Sequence, residues 1–209
     1  SNMTAKEVKS IFIKGIYTDN PILVQVIGIC SALAVTNLMM NSLIMGIALS
    51  LVTAFSSLTV SLLKDHTPKH IRMMVQVLII SVYVIMVDIY LKAYMPEMSK
   101  ALGPYVGLII TNCIIMGRAE GFAQSNPPIP SFFDGLASGI GYTFVLLTIS
   151  FVREFLGFGS IFGISIIPDS VTRWTLMVMP PSAFFILALI MWSFNNNRLK
   201  KQREGVEKK

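Results

Sequence analysis

Six apolar stretches, at about residues 21–37, 43–63, 71–92, 102–123, 132–154 and 176–194, follow one another with only short polar connections between them. A bilayer core takes roughly 20 apolar residues per helix, and every backbone amide inside it must find its partner within the chain. The pattern therefore predicts an all-α integral membrane protein with six transmembrane helices. Composition agrees: 13% of the 209 residues are charged, against roughly 25% in a soluble domain.

Two of the six stretches are interrupted. The first, "PILVQVIGICSALAVTN", carries Pro21, Gln25 and Gly28, and the fourth carries Thr111, Asn112, Gly117, Arg118 and Glu120. Placing Cys30 on Cys113 aligns two halves, each an interrupted segment followed by two regular spans. Three spans is an odd number, so the second half must enter the membrane in the opposite sense. Two inverted three-helix repeats are expected, with the first and fourth spans as interrupted half-helices, an arrangement that points to a site near the bilayer midplane.

Loop charges set the orientation. Thirteen Lys and Arg fall in the N-terminal segment (1–20), the second-to-third loop, the fourth-to-fifth connection and the tail (195–209), and four on the other side. Both termini are expected to be cytoplasmic. The net charge of +6 is concentrated in that tail, so it reads as a membrane-flanking basic segment and no nucleic-acid partner is expected. Ser1-Asn2 ahead of Met3 reads as a remnant of tag cleavage, and no removable signal peptide is expected.

Several motifs have ordinary readings. "GLASGIG" places Gly135 and Gly139 four apart, which suits close helix packing. "GFGSIFG" has the wrong spacing for a dinucleotide loop and no preceding strand. His66 and His70 flank Pro68 and read as a solvated turn.

The two cysteines form no CxxC pair. Buried thiols of this kind are commonly small hydrophobes. An inverted repeat would bring them toward a shared axis, where they could instead supply half of a metal site; an iron-sulfur cluster normally takes four Cys, so two more would come from a second copy or a homologous subunit. A disulfide is the rival.

Ionisable groups within spans need a reason. Asp88 with Lys92 four residues later reads as a helix-end ion pair or as an oxygen donor on the path of a hard cation. Asp134 reads as a helix N-terminal charge or as part of ion access. Arg153 and Glu154 are expected at the membrane surface. Gly117 is expected to break the fourth span after Cys113, allowing Arg118 to pair with Glu120 or with freed carbonyls; alternatively both charges mark the end of the span.

The blocks "CSALAVTN", "VTAFSS", "IRMMVQ", "VGLIITNCIIMGRAEGFA", "FDGLASGIGY", "VREFLGFGSIFG" and "PPSAFF" resemble the D-type membrane subunits of bacterial sodium-translocating NADH:quinone oxidoreductases, over nearly the whole chain. The E-type subunits of the same complexes and the equivalent subunits of Rnf-type ferredoxin:NAD oxidoreductases are related. The resemblance implies a multi-pass inner-membrane protein in a six-subunit complex, with the A-, B-, C-, E- and F-type subunits as partners. It implies a [2Fe-2S] cluster shared with the inverted E-type homologue, with Cys30 and Cys113 as this chain's ligands and Gly28, Thr111, Asn112, Gly117, Arg118 and Glu120 beside it. It further implies coupling of electron transfer to Na+ movement, with flavins only in other subunits and no NADH or quinone site in this chain. An Rnf-type subunit and a secondary transporter with inverted repeats are the alternatives.

Overall fold

The computed structural model describes residues 4–168, 170 and 172–207; Ser1, Asn2 and Met3 and the tail residues Lys208 and Lys209 lie outside the described residues. In chain order the elements are α1 (Ala5–Ile13), α2 (Ile29–Val35), α3 (Met39–Leu63), α4 (Arg72–Tyr94), α5 (Pro96–Ile110), α6 (Cys113–Arg118), α7 (Pro128–Phe158), the hairpin β1 (Ser160–Ile161) and β2 (Ile164–Ser165), and α8 (Pro180–Glu207). A π-helical turn follows α1 at Lys14–Thr18 and another follows α6 at Ala119–Ala123.

Among the described residues four helical stretches are long and apolar enough to cross a membrane: Met39–Leu63, Lys69–Tyr94, Pro96–Ala123 and Pro128–Phe158. The expected first span is not among them, because its only α-helix, α2, has seven residues. The last is not either: α8 is apolar as far as Phe194, then runs into Asn195–Asn197 and the basic tail.

The centre of the molecule is the antiparallel pair α3 and α7. Ser42 near the start of α3 bonds Ser150 near the end of α7, while Ser61 near the end of α3 donates to the Asn126 carbonyl just before α7, at 2.6 Å. Membrane helices gain no hydrophobic driving force by meeting each other, so they associate where small residues let the backbones approach. Here a Cβ on Gly139 would sit 2.7 Å from the Ser50 Cβ, and one on Gly135 would sit 2.9 Å from the Thr53 carbonyl oxygen.

The contacts are reciprocal about this crossing. Gly46, four before Ser50, faces Thr143, four after Gly139; Ala54, four after Ser50, faces Gly135, four before Gly139. The two helices thus pack antiparallel along one seam of small residues that crosses at Ser50 and Gly139.

Arg153 and Glu154 are not at a surface. They are 2% and 1% exposed, which corrects the expectation from sequence. An ionised group can be held there only if its bonds are satisfied. Arg153 donates to the Thr36 hydroxyl at 2.8 Å and to the carbonyls of Met177 and Val178 at 3.3 Å. The Glu154 carboxylate accepts from the backbone of Met39 at 2.7 Å, the first residue of α3, and from Ser160 and Gly163 in the hairpin. A carboxylate suits the orphan amides of a helix N-terminus. The "GFGSIFG" stretch is therefore a tight corner tied to the end of α7.

Candidate half-site at two broken helices

Both interrupted segments break just before their cysteine. In the first, Val26 and Gly28 have positive φ, 58° and 78°, and the helix resumes at Ile29 with Cys30 as its second residue. The left-handed conformation favours glycine, and the tight approach of Ile114 leaves no room for a Cβ at Gly28 in any case. In the second, α5 ends at Ile110, Thr111 turns and Asn112 is extended (φ −68°, ψ 123°). Asn112 then caps α6, its side-chain oxygen accepting from the Ile114 amide at 3.0 Å. Asn is among the preferred residues for that position.

Gly117 lies inside α6, so it is not the break expected from sequence; Thr111 and Asn112 are. The restart follows from the lone polar pair at the end of an apolar run: once the helix stops, Asn112 supplies the acceptor that the new helix lacks.

The two restarts abut. Asn112, which precedes Cys113, donates its side-chain amide to the hydroxyl of Ser31, which follows Cys30, at 2.9 Å. Ser31 also bonds the Tyr142 hydroxyl at 2.6 Å. Ser31, Asn112 and Tyr142 are all fully buried. Both cysteines, by contrast, are free and exposed on the surface of the chain, which corrects the reading of them as buried small hydrophobes.

From this junction the half-helices run opposite ways along α7. α2 ends at Thr36, bonded to Arg153 toward the end of α7. α6 ends at Arg118, which holds Asp134 near its start. Tyr142 lies between, so the junction sits near the middle of a 31-residue helix.

The charges of the fourth segment separate rather than pair. Arg118 grips both oxygens of Asp134, with Nε at 2.8 Å from one of them. Glu120, within the π-helical turn, instead accepts from Arg72 and Gln76 of α4, each at 2.8 Å. The expected pairing of Arg118 with Glu120 is therefore absent: the chain stays helical between them, and two positions apart they point to opposite neighbours. Asp134 lies in the second turn of α7, which begins at Pro128, so it is no helix cap. It lines a cavity of about 370 Å³ together with Ser10, Lys14, Asp19, Arg118 and Phe122. Asp88 pairs with Lys92 at 2.7 Å on the exposed side of α4. His66 and His70 are exposed in the turn between α3 and α4.

Sequence reasoning passed over Ser31, Tyr142 and Asn20. Asn20 is buried and makes four bonds, donating to the Ile16 and Gly141 carbonyls and accepting from the Ile22 and Leu23 amides. Its place directly before Pro21 was the available signal, since Asn-Pro favours a turn. Ser31 had none beyond its position next to Cys30.

A family model described as "Rnf-Nqr subunit, membrane protein" matches residues 8–191. The chain belongs to this family of membrane subunits. Among curated relatives, the D subunit of the Na(+)-translocating NADH-quinone reductase of Chlamydia abortus is 49% identical over 208 residues, covering 95% of this chain and 98% of the relative. The proteins of the same description from Pseudomonas aeruginosa and Pseudoalteromonas translucida are also 49% identical; they cover 89% and 90% of this chain and 85% and 91% of their own lengths.

Among the described residues no group of three or more His, Cys, Asp or Glu side chains could hold a metal ion. The donors of this Rnf-Nqr family member toward a soft metal are its two exposed thiols, Cys30 and Cys113. Two thiols do not complete an iron-sulfur site, but they fit one half of a site completed from outside the chain.

Proposed function

We propose that the chain is the D-type subunit of a sodium-translocating NADH:quinone oxidoreductase of a bacterial inner membrane, and that Cys30 and Cys113 hold half of a [2Fe-2S] cluster completed by two cysteines of the homologous E-type subunit. The observation that carries this reading is the pair of broken helices, whose restarts are bonded together through Ser31 and Asn112 while both thiols face outward. A secondary transporter would use broken helices equally well, but nothing in that function calls for two exposed thiols flanking one buried junction.

The cluster, when bound, supplies one-electron transfer within the membrane. The residues of this chain hold the thiols in place, keep polar groups off lipid and leave one face open to the partner. The opposed run of α2 and α6 from one junction, the first toward the end of α7 and the second toward its start, supports an inverted repeat within the chain. The same inversion suits assembly with a homologue of opposite topology.

Asp88 and Asp134 are proposed as carboxylates on the Na+ path rather than as dehydrated Na+ ligands, because Lys92 bonds one oxygen of Asp88 and Arg118 bonds both of Asp134. The test is an electron paramagnetic resonance spectrum and iron analysis of the purified, reduced complex. About two irons per pair of D-type and E-type chains and a reduced-cluster signal are expected, as one [2Fe-2S] centre requires. Retention of the signal in Cys30→Ala or Cys113→Ala would overturn the ligand assignment.

A further inference from the structure

We infer that Ser31, Asn112 and Tyr142 set the separation of the two thiols and act together as the positioning element of the half-site; this rests on the reading of Cys30 and Cys113 as donors to a shared cluster.

A serine hydroxyl has one proton to give and two lone pairs to accept with. Ser31 uses all three. It donates to the Gly28 carbonyl at 3.1 Å within its own half-helix, and accepts from the Asn112 side-chain amide at 2.9 Å. Its remaining lone pair takes the Tyr142 proton, at 2.6 Å. With the donor roles settled this way, Asn112 is committed at both ends, since its oxygen caps α6 at Ile114.

The junction therefore ties three backbones: α2 through Ser31, α6 through Asn112 and the middle of α7 through Tyr142. It has no slack, because Gly28 packs directly on Ile114 and Asn112. All three side chains are fully buried, so a bond lost among them is not readily replaced by one to solvent. Each cysteine is the immediate chain neighbour of a bonded residue, so a shift at the junction moves one thiol relative to the other. Metal centres depend on such outer hydrogen-bonded residues to hold their donors within a fraction of an ångström.

The test uses the intact complex with Asn112→Ser and Tyr142→Phe. Serine keeps the N-cap oxygen but is too short to reach Ser31, so it separates capping from positioning. Three readouts are taken: bound iron, the line shape of the reduced resonance signal, and, after removal of iron, the yield of a short bismaleimide cross-link between Cys30 and Cys113 mapped by peptide mass spectrometry. Asn112→Ser is expected to lower the affinity for iron by about tenfold, the low end of the cost of losing an outer partner of a metal site, and to lower the cross-link yield with it. Tyr142→Phe, which deletes one oxygen, is expected to retain assembly and alter the line shape.

Wild-type iron, spectrum and cross-link yield in both variants would overturn the inference. Should Asn112→Ser fail to assemble, the Tyr142→Phe spectrum and cross-link decide. A wild-type complex without iron would overturn the cluster reading alone, and the metal-free cross-link would still decide whether the junction positions the thiols.

Discussion

Gly139 of α7 rests on Ser50 of α3 so closely that a methyl group at position 139 would come within 2.7 Å of the Ser50 side chain, and Ser50 itself bonds back to the Gly46 carbonyl at 2.7 Å. The contact sits at the centre of the reciprocal packing of these two helices, where neither backbone can retreat without separating its neighbours. Gly139→Ala is expected to destabilise the protein by about 1–3 kcal/mol, the usual cost of overpacking. Gly103→Ala is the control, since a Cβ there meets nothing within 4 Å. Thermal unfolding in detergent should lower the midpoint for the first variant and leave the second near wild type.

Arg118 and Asp134 fasten the end of α6 to the start of α7, with side-chain exposures of 18% and 9%. Breaking such a pair leaves one charge poorly solvated, at a cost of about 3–5 kcal/mol when burial is complete and less here. Arg118→Met alone should therefore destabilise more than the joint change Arg118→Met with Asp134→Leu, which strands no charge. A double-mutant cycle read by detergent unfolding should give a coupling of roughly 0.5–3 kcal/mol, in line with directly bonded pairs. A coupling near zero would mean that the pair is dispensable for holding α6.

If Asp134 lies on the Na+ path through the cavity shared with Lys14 and Asp19, removing its charge should weaken cation access. Asp134→Asn keeps the shape and an acceptor for Arg118. The Na+ concentration for half-maximal turnover of the complex is expected to rise by roughly tenfold, or about 1.4 kcal/mol. Asp88→Asn costs only the stability of an exposed i,i+4 pair, about 0.3–0.5 kcal/mol, so a shift in its Na+ dependence reads the path directly; a Na+ dependence unchanged in both variants would remove both carboxylates from the path.

How much of this was legible in the sequence depends on the range of the signal. Helix-forming apolar runs and the two interruptions were readable because hydropathy and broken periodicity are local. The cysteine pair was readable because the interruptions recur in order. The position of the break was not: Gly117 looked the weaker helix former, yet the helix stops at Thr111 and Asn112, where Ser31 from the other half supplies the bond. Arg153 and Glu154 were misjudged for a similar reason. A charge at the end of an apolar run ordinarily meets water, and only the fold supplies Thr36, Met39 and the hairpin as partners. Arg118 and Glu120 part because the chain stays helical through Ala119 and residues two apart on a helix do not face each other; their partners, Asp134 on one side and Arg72 with Gln76 on the other, come from segments that only the fold brings near.

Glu154 offers a direct check on that buried corner. Its carboxylate serves three donors, the Met39 and Gly163 amides and the Ser160 hydroxyl. Glu154→Gln keeps one oxygen acceptor and brings an amide that has no acceptor there, whereas Glu154→Ala leaves all three donors bare. Of these the Met39 amide is buried, and leaving a buried donor unsatisfied costs about 1–3 kcal/mol; Ser160 and Gly163 lie nearer the surface. The alanine variant should unfold well below the glutamine variant, and it should loosen the hairpin, detected as faster amide exchange at Gly163. Equal exchange in both variants would show that the corner holds without the carboxylate.

The exposure of Cys30 and Cys113 on a chain taken alone sets a final expectation. Thiols on an open face react with a maleimide at rates governed by access and thiolate fraction. In the chain purified by itself both cysteines should label to completion. In the iron-loaded complex both should be protected, because a thiolate held by a cluster is not free to attack the reagent, and removal of iron should restore labelling. Protection of one cysteine without the other would break the shared-site reading, since one cluster would withhold both of this chain's ligands at once.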